Sequence, residues 1–120
     1  MSFVSEEDRA KFKAGPKRPP TNREKSVAII DHHFHTIETK IKSEVGKAIR
    51  QNGSVYEVKI FILHKGKIPD DTYAEQALVK RLRHEHPETR TVTLKRHWWN
   101  PPGGGMQRYD ITVTFRRRLK

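Results

Sequence analysis

From Arg108 to Arg116 the chain alternates at every step: Tyr109, Ile111, Val113 and Phe115 are separated by Asp110, Thr112 and Thr114. A period of two is the pattern of a strand with one face buried and one in water. The preceding segment does the same, with Val92 and Leu94 set between Thr91, Thr93 and Lys95. The two runs predict a hairpin over 90–98 and 107–116, apolar on one face, threonine and base on the other. A sheet of this kind is covered on one side only, so the helices must share that side.

The other elements follow from the same arithmetic. Residues 55–64 (VYEVKIFILH) form a strand whose two faces both become apolar toward its end, which predicts a place inside the sheet. Ile37, Ile41, Val45, Ala48 and Ile49 make one stripe at helical spacing. With Thr36 as N-cap and Asn52-Gly53 as stop, they predict a helix over 36–51. A second helix starts at Pro69-Asp70-Asp71, buries Ala74, Ala77, Leu78 and Leu82, and ends at His86-Pro87. The short run 26–31 (SVAIID) has strand character. The expected order is β-α-β-α-β-β. This is an α/β (α+β) fold with a four-stranded mixed sheet and two helices on one face. A single domain over 26–120 then follows an extended or disordered basic arm over 1–25. In that arm Lys17 and Arg18 stand among Gly15, Pro16, Pro19 and Pro20, and the prolines block a continuous helix.

Charge sets the partner class. Lysine and arginine number 25 against 14 acidic residues, a net +11, and such self-repulsion is offset by a polyanion. The expected partner is a phosphate backbone, RNA before DNA. No segment joins a basic face to a large apolar one, so no membrane partner is expected. Met1–Asp8 carries three acids and no apolar run, which predicts an intracellular rather than a secreted protein. The absence of cysteine excludes disulfides and thiolate metal sites.

Candidate contact residues lie at the turns and the hairpin. Lys65-Gly66-Lys67 follows a strand, with the glycine expected to allow close backbone approach. Lys95, Arg96 and Arg108 flank a long tip, His97-Trp98-Trp99-Asn100-Pro101-Pro102-Gly103-Gly104-Gly105-Met106. Trp98 or Trp99, exposed among these bases, is a platform for unpaired bases. Arg116, Arg117 and Arg118 extend the basic sheet face. Asp31-His32-His33-Phe34-His35 invites a metal or nuclease reading. However, His33 and His35 need a third ligand that no spacing supplies, so neither a metal nor a cofactor is expected. No nucleophile or phosphate-loop motif is present, and no enzyme activity is expected.

The stretch VYEVKIFILHKGKIPDDTYAEQALVKRL resembles the C-terminal domain of bacterial translation initiation factor three. In that family a helix closes on a glycine turn (here Asn52-Gly53). A strand follows (Val58-Lys59-Ile60-Phe61-Ile62), and a basic-Gly-basic turn (Lys65-Gly66-Lys67) leads to the second helix. The layout is also similar to the Alba group of small basic nucleic-acid-binding proteins. Both resemblances imply a nucleic-acid role for Lys65 and Lys67. The expected function is an RNA-binding component of a ribonucleoprotein, ribosome-associated and in contact with its other proteins. The alternatives are an Alba-like DNA-coating protein, a metal-dependent nuclease on the histidines, and a protein-interaction module using the tryptophan tip.

Overall fold

Two prolines and a threonine open the first element. Thr21, after Pro19-Pro20, accepts a hydrogen bond from the backbone N–H of Glu24 at 3.1 Å and so caps a helix of 31 residues, α1 (Asn22–Asn52). The computed structural model describes residues 19–97 and 105–120. After α1 come β1 (Val55–Lys65), α2 (Asp71–Glu85), β2 (Thr89–Arg96) and β3 (Met106–Leu119). The described residues therefore form an α+β fold of two helices and a three-stranded antiparallel sheet, in the order β1-β3-β2.

The expected first strand at 26–31 lies within α1, and the described residues form a sheet of three strands instead of four. The physical reason is a longer stripe. Ser26, Ile30, Phe34, Ile37 and Ile41 are buried at steps of four, four, three and four, continuing into Val45, Ala48 and Ile49. Ser26 is polar but satisfied in the core: its hydroxyl donates to the Asn22 carbonyl at 2.7 Å and accepts from the Asp70 N–H at 3.0 Å. That bond ties the start of α1 to the N-cap of α2, where Asp70 also accepts from the Tyr73 N–H at 3.0 Å. Thr36, expected as the N-cap, is an exposed residue in mid-helix. Residues 22–25, assigned to the arm, belong to the helix; residues 1–18, with Lys17 and Arg18, lie outside the described residues.

Losing the fourth strand changes the standing of β1. Among the described residues it pairs only with β3, Ile60 opposite Ile111 and Ile62 opposite Tyr109, and is there an edge strand rather than an interior one. Its free edge is partly closed by Lys40 of α1, whose ammonium donates to the Phe61 carbonyl at 2.6 Å. The hairpin forms as expected, with Val92 opposite Val113 and Leu94 opposite Ile111. Both helices pack on the same sheet face, over Val58, Ile60, Ile62, Val92, Leu94, Tyr109, Ile111 and Val113. Gly53 closes α1 in the left-handed region at φ 80°, its N–H bonded to the Ile49 carbonyl.

Candidate nucleic-acid interface

The uncovered sheet face is built by register. Lys59, Thr112 and Thr93 form one row across the three strands; Phe61, Asp110 and Lys95 form the next. The Thr91 and Thr114 hydroxyls, a row further on, are hydrogen-bonded to each other. Register shifts between Val55 and Glu57 and between Thr89 and Thr91 alter the pleat at the far end. There Tyr56 and Glu57 are both exposed between the buried Val55 and Val58. Four cations, Lys59, Lys65, Lys95 and Arg108, share this face with two carboxylates, Glu57 and Asp110, and Arg118 reaches Tyr56 at its far end.

At one end of the sheet the structure gathers five of the twelve expected contact residues. Lys65 ends β1 opposite Met106, Arg96 ends β2 opposite Tyr109, and Lys95 and Arg108 are close by. Lys67 lies in the turn that leaves β1, and Lys65, Lys67, Lys95 and Arg96 are all exposed. Gly66 adopts φ 85°, and a side chain there would meet nothing within 4 Å. Within the fold its role is the left-handed backbone angle. The Gly66 N–H bonds the Gly105 carbonyl, which joins the basic turn to the start of β3. The turn is also anchored from beneath: the buried Ile68 N–H donates to the Tyr109 hydroxyl at 2.7 Å. Arg116, Arg117 and Arg118 are not part of this cluster. They lie at the opposite end of β3, roughly 27 Å from Arg108 for eight residues of strand. Trp98 and Trp99 lie outside the described residues.

Asp110 organises the inner part of the face. It accepts from His97 Nδ1 and Arg108 Nε, each at 2.9 Å. Burial pushes its carboxyl up, but the bonds from His97 and Arg108 and their positive charge outweigh that and hold it below the usual carboxylate range. Arg108 is thereby fixed with its guanidinium 4.2 Å from the centre of the Phe61 ring. Arg118 lies 5.7 Å from the Tyr56 ring at the other end. Phe61 escapes a sequence reading because both faces of β1 become apolar toward its end, and Tyr56 because strict alternation places it with Val58, Ile60 and Ile62, a pattern the register shift between Val55 and Glu57 breaks. Phe61 is 41% and Tyr56 55% exposed, with Leu63 and Met106 beside them.

The histidine run is divided by the helix. Residues two apart on a helix point about 200° apart, so His33 and His35 do not share a face. His33 instead meets β1, its Nε2 2.9 Å from His64 Nδ1, with the His32 ring edge-on to it. No cluster of three or more metal-ligating side chains occurs among the described residues. Burial lowers the proton affinity of both His33 and His64; beyond burial, neighbouring His64, His32 and Lys40 act on His33, and His32 acts on His64. The folded state therefore binds protons more weakly than the unfolded chain. The stabilising contribution is complete above the ordinary value of 6.5 and is lost as pH falls through it toward the lowered values. Urea unfolding at about pH 7.5 and about pH 5.5 should show a loss of stability on acidification. Replacing His33 and His64 together with glutamine should reduce that loss.

No helix among the described residues is long and apolar enough to cross a membrane. A cavity of about 280 Å³ lies on the other side of the molecule, between α1, α2 and the end of β3, lined by Ile41, Val45, Leu82 and Phe115 with Glu38 and His86. No protein-family model, curated protein or solved structure matches this chain.

Proposed function

We propose that this protein binds RNA as a component of a ribonucleoprotein, with the ribosome as its setting. The observation that carries this reading is the convergence of Lys65, Lys67, Lys95, Arg96 and Arg108 at one end of a sheet whose outer face is open and basic. Lysines on a turn bonded to Gly105 and anchored through Ile68 are point charges held at a fixed place, which is what a phosphate backbone requires. The threonine hydroxyls of β2 and β3 add donors and acceptors for ribose 2′-hydroxyls, which distinguish RNA from DNA. The likeness of the Lys65-Gly66-Lys67 turn to that of the initiation-factor domain points the same way.

The test is the double charge reversal Lys65→Glu with Lys67→Glu. Each lost phosphate contact should lower the slope of log affinity against log salt by about one, so the double variant should lose about two units. An unchanged slope would remove this turn from the interface.

A further inference from the structure

The proposed RNA reading leaves one feature unexplained. Phosphate contacts need lysine and arginine, yet the open face also carries large apolar groups in water, two of them aromatic. A sheet exposed on one side normally covers that side with polar residues. Here each exposed ring has an arginine over it, Arg108 on Phe61 and Arg118 on Tyr56.

We propose that the open sheet face is a two-station stacking site for unpaired RNA bases, one at Phe61–Arg108 and one at Tyr56–Arg118. This rests on the reading of the protein as RNA-binding and narrows it to single-stranded segments. The geometry supports it in three ways. First, Asp110 holds Arg108 by its Nε, so the planar guanidinium is preset over the Phe61 ring before any base arrives. A flat cation on an aromatic ring is a surface on which a base can stack in turn. Second, the two stations stand five residues apart along β1, about 17 Å, and so would take bases that are not neighbours. Lys59 projects from the same face between them, where the connecting phosphates would run. Third, the exposed apolar groups lie within a basic field. An apolar protein partner would gain nothing from that ring of cations, whereas a phosphate-bearing strand is complementary to it.

The experiment uses the full chain and two labelled RNAs of equal length, one an unstructured strand of alternating A and C, the other a fully paired hairpin. Wild type should prefer the unstructured strand. Tyr56→Ser with Phe61→Ser removes both stations, so it should weaken binding to that strand by about thirtyfold or more and leave hairpin binding within about twofold. Tyr56→Phe should keep the affinity, because it keeps the ring. Phe61→Leu should lose it while preserving apolar bulk. Both rings are largely exposed, and an unchanged melting temperature would show that the variants fold. The stacking site is overturned if the double serine variant binds the strand as wild type does, or if wild type prefers the hairpin; in both cases the phosphate reading survives provided Lys65→Glu with Lys67→Glu still lowers the salt slope. Absence of binding to either RNA at low salt overturns both readings together.

Discussion

Phe34→Ala should destabilise the domain by about 3–5 kcal/mol, the cost of removing a buried aromatic from a packed core. Phe34 is 4% exposed and stands in the centre of the α1 stripe, between Ile30 and Ile37. The Arg81 guanidinium lies 3.9 Å from the centre of its ring and also pairs with Asp31 one turn earlier, so the ring is covered on its outer side as well. If residues 32–35 formed a surface turn between a strand and a helix, the same change would cost about 0.5 kcal/mol or less. Urea unfolding of the variant therefore distinguishes the observed 31-residue helix from the shorter one read in the sequence.

Tyr109→Phe should cost about 1–3 kcal/mol, although it removes a single oxygen. The Tyr109 hydroxyl accepts the N–H of Ile68, and both residues are fully buried. Phenylalanine would leave that backbone donor without a partner in the core. Tyr109→Ala should cost more, because it adds a cavity to the lost bond. The effect extends beyond stability. Ile68 directly follows Lys67, so the bond fixes the exit of the basic turn. In the phenylalanine variant the Ile68 amide should exchange faster with solvent while amides at the centre of α2 change little relative to the new global stability.

The hairpin and α2 were legible because each carries a pattern that local physics can satisfy alone. Alternation at 109–115 and the Asp70 cap depend on no distant partner. The start of α1 was not legible in the same way. Its apolar residues are interrupted by Ser26, Asp31 and three histidines, and SVAIID taken alone has the composition of a strand. Two signals pointed to the helix. Thr21-Asn22-Arg23-Glu24 has the order of a capping box directly after two prolines, and Ser26, Ile30, Phe34 and Ile37 keep helical spacing through the polar interruption. The outer face of β1 was not legible either. Both faces become apolar toward its end, the pattern of a strand buried on both sides, yet the helices cover only one, so Phe61 and Leu63 face water.

The interface was partly legible. The basic turn and the residues flanking the tip could be chosen by charge and by their places at strand ends, and the fold gathers them. The distance between that cluster and Arg116–Arg118 could not be chosen in this way, because it depends on the length of β3, which runs through Leu119. The meeting of His33 with His64 likewise needs α1 to lie across β1, a long-range contact that spacing does not encode.

The central claim, that the basic open sheet binds RNA, is tested most directly by fluorescence anisotropy of the purified protein. The partners are an unstructured RNA and a duplex DNA of matched length, titrated across a salt series. The account predicts that log affinity for the RNA falls linearly with log salt, with a slope of several units, and that RNA is bound more tightly than duplex DNA at each salt concentration. Equal or tighter binding to duplex DNA, or no binding to either at low salt, would contradict it.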